Sequence, residues 1–147
     1  MAQTRSSTTV WSGDVQSGSG MVSGSTGALG EQKVTLSNRI NEAEGLTSPE
    51  EYLAAAHSSC LAMNLAATLA KQGTPAESVT VSSHVEVGPK DGGGLEVKSA
   101  NVEISGKVPG MTAEQFEEVA KLAEETCPIA NVMRGNVPSE VSISHEG

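Results

Sequence analysis

The chain has 147 residues, 37% of them hydrophobic, yet only one Trp, one Tyr and one Phe, and its formal net charge is -9. That length suits a single domain over residues 1–147, with a core built from Ala, Val, Leu, Ile and Met, whose side chains each bury little area. Nine scattered Lys and Arg against eighteen Asp and Glu exclude the basic patch of a nucleic-acid binder. No transmembrane run of roughly 20 apolar residues is read from the sequence, so no membrane role is expected. Residues 1–7 lack the apolar stretch of a secretory signal, and the expectation is a cytoplasmic protein whose thiols are kept reduced.

Residues 1–40 are rich in Gly, Ser and Thr. Within them, residues 9–11, 20–23 and 32–36 have strand character and are separated by glycine turns, which predicts short strands rather than a linker. From Ser48 the pattern changes: Ser48, Pro49 and Glu51 read as N-cap, first helical position and capping-box partner. The helix they open is predicted to run to about Lys71, with Gly73 as its stop. It is apolar nearly all round between Leu53 and Ala70, which predicts burial on most faces.

Residues 78–87 and 94–107 alternate apolar and polar with the period of strands covered on one face, and residues 89–93 form the hairpin turn between them. Thr112 and Gln115 predict a capping box for a second helix with an apolar stripe of Phe116, Val119, Ala120, Leu122 and Ala123. Pro128 opens a third, short helix ending near Arg134 and Gly135, and residues 137–144 read as a last strand. There are no internal repeats.

Two cysteines carry the chemistry. Cys60 lies inside the long apolar helix, and Cys127 stands immediately before Pro128, at an N-cap facing unpaired amides and the positive end of a helix dipole. That setting favours a thiolate at Cys127. Metal-ligand clusters, nucleotide-binding fingerprints and a nucleophile elbow are all absent from the sequence. A structural disulfide is the less expected use of the pair in a reducing compartment. Protein disulfide exchange would normally show Cys-x-x-Cys, which is missing.

A thiol in an apolar helix needs a positive charge nearby to ionise. Arg39 is the best placed by sequence, with Glu50 as the carboxylate for a bidentate pair. The alternative is that Arg39 is a surface charge and Glu50 complements the helix dipole. Glu50 and Cys60 are separated by about 15 Å of rise on one straight helix. They can meet only if two copies of the helix pack antiparallel. His57, one turn before Cys60, reads as a hydrogen-bonded core histidine or as a base for the thiol.

Several motifs then resemble one family throughout the chain, in order: Trp11-Ser12-Gly13-Asp14, Gly18-Ser19-Gly20-Met21-Val22-Ser23, Asn38-Arg39, Thr47-Ser48-Pro49-Glu50-Glu51, His57-Ser58-Ser59-Cys60 and Cys127-Pro128-Ile129-Ala130-Asn131-Val132. The chain is similar to the OsmC/Ohr family, and looks like its OsmC branch. The resemblance implies an α+β fold with two curved antiparallel sheets around central helices, in an intertwined homodimer. It also implies a thiol-dependent peroxidase of oxidative and osmotic stress defence. Such an enzyme reduces organic hydroperoxides and, less efficiently, hydrogen peroxide. By the same resemblance Cys60 is peroxidatic, Cys127 is resolving, and Arg39 and Glu50 hold thiolate and substrate. An external dithiol of lipoyl type is the implied reductant, and no cofactor or metal is implied. Ala130, Asn131 and the missing aromatics after Cys60 depart from the commoner pattern and touch pocket shape.

Overall fold

The computed structural model describes all 147 residues, which form two compact units, residues 1–52 and residues 53–147.

In the first unit, β1 (Ser7–Ser12), β2 (Ser19–Gly24) and β3 (Glu31–Val34) form an antiparallel sheet in chain order. Asp14 makes the β1–β2 turn: its carboxylate accepts from the backbone N–H groups of Gln16 and Ser17 at 2.8 and 3.0 Å. This is the turn chemistry expected of Asp. The predicted strand over residues 32–36 ends early, at Val34. Thr35 instead caps a five-residue helix, α1 (Leu36–Ile40), with its hydroxyl accepting from Asn38 N–H at 3.1 Å. Arg39 therefore stands in the last turn of this short helix.

The long helix α2 (Pro49–Lys71) starts in the first unit and continues into the second. The Ser48 hydroxyl accepts from Glu51 N–H at 3.2 Å, as the capping pattern predicts. At the far end Gly73 adopts φ +79°, and Thr74 N–H closes on the Leu69 carbonyl at 3.1 Å. The left-handed φ is what makes glycine suitable there.

The second unit carries a mixed sheet of β4 (Ser78–Pro89), β5 (Leu95–Lys107) and β6 (Val141–His145), in that order. β4 and β5 are an antiparallel hairpin with an irregularity at Glu86/Val87, whereas β6 runs parallel to β5. A parallel neighbour requires a crossover, and α3 (Ala113–Glu125) and α4 (Pro128–Met133) supply it. β6 is shorter than predicted because residues 137–140 precede it as an irregular approach.

The core of this unit joins Leu61, Leu65 and Leu69 of α2 to Val102 and Ile104 of β5 and to Phe116, Val119, Ala120 and Ala123 of α3. Each fully buried Leu contributes roughly 1.5–3 kcal/mol. Leu122, predicted for the stripe, is 43% exposed, because the buried face of α3 follows 116, 119, 120 and 123. Phe116 lies against Gly106 so closely that a Cβ there would stand 2.5 Å from the ring.

α2 corrects two expectations. It is buried along one stripe rather than on most faces, and Met63 is 73% exposed. By length and composition it also reaches what a membrane crossing needs, with a mean hydropathy of 1.3. Its buried Leu stripe, together with buried Glu50 and His57, is the pattern of a packed core helix.

Candidate active site

The first unit pairs Arg39 with Glu50. The Arg39 Nε donates to both Glu50 carboxylate oxygens at 3.0 and 3.3 Å, and Nη2 donates to Oε1 at 2.7 Å. This is the forked, charge-assisted contact that a guanidinium and a carboxylate make well. Glu50 is buried, whereas about a third of the Arg39 side chain (34%) remains exposed. The pair places a cation at the start of α2, and two of its forked donors are spent on Glu50.

The second unit brings the cysteines together. Both are free; Cys60 is half-buried and Cys127 fully buried. Cys127 is the N-cap residue of α4, with Pro128 following, as the sequence predicts. Its thiol makes no capping bond to the helix. Burial pushes the thiol up from its ordinary value, the nearby Ala130 and Ile129 amides pull it down in part, and the adjacent Cys60 thiol pushes it up again. Burial outweighs the helix terminus, so Cys127 is a protonated thiol, contrary to the thiolate expected from its N-cap position.

The corner that carries Cys127 is held by contacts no local sequence pattern announces. Asn64, one turn beyond Cys60 on α2, donates from Nδ2 to the Ala123 carbonyl at 2.7 Å and to the Thr126 hydroxyl at 2.9 Å. Arg134 closes the other side, donating to the Glu124 carboxylate and carbonyl, to the Glu125 carbonyl and to the Asn131 side chain. Asn64 thus ties the helix of one cysteine to the residue preceding the other. An Asn at i+4 from a cysteine was the only available signal.

His57 is a buried core histidine, as one of the two sequence readings holds. Its Nδ1 lies 3.1 Å from the Ser83 hydroxyl on β4. Burial lowers its pKa, opposed by the Glu124 carboxylate, so the ring is neutral near pH 7. No group of His, Cys, Asp and Glu is arranged to hold a metal ion.

An α+β chain with a buried thiol at a helix start, beside a second thiol on a long core helix, defines a thiol-bearing class of protein. The comparisons make that class specific. The OsmC-like protein family model matches residues 42–142. Peroxiredoxin OsmC of Escherichia coli (strain K12) is 31% identical over 127 residues, covering 86% of this chain and 87% of that protein. The organic hydroperoxide resistance protein of Xanthomonas axonopodis pv. citri (strain 306) is 32% identical over 100 residues, or 67% of each chain. Among solved structures, an organic hydroperoxide resistance protein from Elizabethkingia anophelis superposes with a TM-score of 0.76 at 25% identity, covering 99% of this chain and 98% of the other. The chain belongs to the OsmC-like protein family.

Proposed function

We propose that the chain is a thiol-dependent hydroperoxide reductase in which Cys60 attacks the peroxide, Cys127 resolves the product, and Arg39 with Glu50 holds the thiolate and substrate. The names of its relatives, peroxiredoxin and organic hydroperoxide resistance protein, carry the coarse role. The observation that carries the mechanism is the pairing of the two free thiols, one half-buried on α2 and one fully buried at the start of α4.

The steps balance as follows. The Cys60 thiolate sulfur attacks one peroxide oxygen; the O–O bond breaks, sulfur is oxidised to the sulfenic acid, and the other oxygen leaves as an alkoxide that takes a proton to become the alcohol. Cys127 then attacks the sulfenic sulfur, forming the disulfide and releasing water. Holding Cys127 as a buried, protonated thiol suits this role, because it keeps the second sulfur from competing for peroxide. An external dithiol, of lipoyl type by family resemblance, restores both thiols by exchange.

Organic hydroperoxides are the preferred substrates in this reading and hydrogen peroxide the poorer one, in defence against oxidative and osmotic stress in the cytoplasm. The working form is a homodimer. Glu50 and Cys60 are separated by about 15 Å of helical rise, and a second copy lying antiparallel against α2 would bring the Glu50 of one chain to the Cys60 of the other. Met63, 73% exposed on that helix, is apolar surface available for such packing. Steady-state reduction of an alkyl hydroperoxide with a dithiol, compared between wild type and Cys60→Ser, tests the reading: activity in the variant overturns it.

A further inference from the structure

Cys127 is anchored through its backbone at two points. Its N–H donates to the Glu124 carbonyl at 3.2 Å, and its carbonyl accepts from the Asn131 N–H at 3.0 Å. Arg134, the C-cap residue of α4, grips both of those anchors. Its Nη2 donates to the Glu124 carboxylate at 2.7 Å and to the Glu124 carbonyl at 3.2 Å, the same oxygen that Cys127 uses. Its Nη1 donates to the Asn131 side chain at 2.7 Å and to the Glu125 carbonyl at 3.3 Å. One planar fork thus joins the end of α3 to α4, with Cys127 between them.

A contact of this kind often serves stability alone, because cations satisfy the last carbonyls of a helix. Here the Arg134 side chain is 44% exposed and that of Glu124 20%, and ion pairs open to solvent contribute little. Cys127 and Ala130 are already packed in the core, which secures the fold of the corner. What the fork adds is direction: it fixes the turn from α3 into α4, and with it the line along which the Cys127 sulfur points. Its charge is met by Glu124, and neither thiol is among its hydrogen-bond partners.

Direction matters for the second thiol more than for the first. A disulfide closes only over a narrow range of Cα separation and dihedral angle, and a misplacement of about 1 Å can slow an oriented reaction about a hundredfold. We propose that Arg134 is the positioning residue of Cys127: by gripping Glu124 and Asn131 it aims the buried thiol at Cys60, so that the disulfide forms before a second peroxide arrives. In that closure the Cys127 sulfur attacks the sulfenic sulfur, the S–O bond breaks, and the oxygen leaves as water with the thiol proton. Without it, a second hydroperoxide oxidises the sulfenic acid to the sulfinic acid and leaves as alcohol. The competition with peroxide rests on the peroxidase reading; the aiming of one thiol at the other does not.

The test compares Arg134→Met, which keeps much of the stem and loses the fork, with wild type in two measurements on the full-length protein. In the first, reduced protein is mixed with excess tert-butyl hydroperoxide and quenched in acid at intervals. The first equivalent of tert-butanol reports attack by Cys60, and the mass of the Cys60–Cys127 disulfide reports closure. Attack is expected within about twofold of wild type while closure slows about tenfold or more, with sulfinic acid rising to match. In the second, equilibration with a glutathione redox buffer should show the disulfide formed about tenfold less favourably, a potential about 30 mV less negative, because the bond must then order the corner itself. Arg134→Lys should lie between, and it carries the same readings should Arg134→Met not fold. Lys121→Met, which removes the exposed Lys121–Glu117 pair of α3, should leave both measurements at wild type. Unchanged closure and equilibrium in folded Arg134→Met, attack falling in step with closure, or an equal effect of Lys121→Met would each overturn the proposal. Wild-type protein that releases no alcohol would remove the assigned reaction, and the glutathione equilibrium would still decide the role of Arg134.

Discussion

Arg39 grips Glu50 from α1, with Nε spanning both carboxylate oxygens and Nη2 closing at 2.7 Å on Oε1. Because Glu50 is 7% exposed, removing the guanidinium strands a buried carboxylate. Arg39→Ala is expected to lower hydroperoxide turnover by about ten- to a hundredfold, as for loss of a charge-assisted bond of about 1.5–3 kcal/mol. Arg39→Lys should recover only part of this, since a point charge does not reproduce the fork. Steady-state kinetics on both variants, with urea unfolding as a stability control, checks it; full activity in Arg39→Ala would remove the pair from the mechanism.

The two thiols should differ sharply in access. Cys127 is fully buried and its thiol is pushed up by burial, while Cys60 is half-buried. Brief treatment of the native, reduced protein with iodoacetamide at about pH 8 should alkylate Cys60 and spare Cys127 until the chain is unfolded. Peptide mass spectrometry reads the outcome, and equal labelling of both would contradict the buried resolving thiol.

Asn64 holds the residues just before Cys127 through two hydrogen bonds, to the Ala123 carbonyl and the Thr126 hydroxyl. Asn64→Ala should cost about 1–3 kcal/mol of stability, at roughly 0.5–1.5 kcal/mol per bond. It should also slow disulfide closure, so that excess peroxide converts more Cys60 to the sulfinic acid than in wild type. Denaturant curves and intact-mass analysis test the two effects separately.

Local chemistry was legible in the sequence and long-range pairing was not. Ser48 and Pro49 marking the start of α2, Gly73 its end, and the Thr112–Gln115 box of α3 are each decided within four residues of chain. Cys60 and Cys127 stood out as the only two cysteines of the chain, whereas Arg39 and Glu50, two among many charged residues, were singled out as a site pair by the family resemblance. The parallel pairing of β6 with β5 depends on the route of α3 and α4, and nothing in residues 141–145 records it. The strand read over residues 32–36 ran two residues too far because Gln32, Lys33 and Val34 lead straight into Thr35 and Leu36, and the deciding contact is the Thr35 cap of α1. The partner of His57 on β4 and the reach of Asn64 to α3 are likewise distant in sequence, with no periodicity to reveal them.

His57 makes the fold acid-sensitive. Its folded-state pKa lies below the ordinary 6.5, through burial, so the unfolded chain takes up the proton first as pH falls. The stability contributed by the neutral ring is present above about pH 6.5 and is lost as pH drops below it toward the folded-state value. Urea midpoints measured at about pH 7.5 and pH 5.5 should fall more for wild type than for His57→Gln. Equal slopes in the two proteins would mean that His57 is not the group responsible.

The shared-site dimer has its own test. Cys60→Ser and Glu50→Ala are each expected to be inactive alone, and unfolding and refolding them together should restore activity through a hybrid site with one intact Cys60 and one intact Glu50. A stable, fully active monomer would contradict this, as would a mixture that stays inactive despite demonstrated heterodimers.

Most direct for the central claim is mapping the thiols after one equivalent of an alkyl hydroperoxide in the absence of reductant. The account predicts one alcohol released per chain and a disulfide joining the peptides of Cys60 and Cys127, with Cys127→Ser giving sulfenic and then sulfinic acid at Cys60 instead. Alcohol release by Cys60→Ser at the wild-type rate, or a wild-type protein that consumes peroxide while Cys127 stays a free thiol, would contradict it.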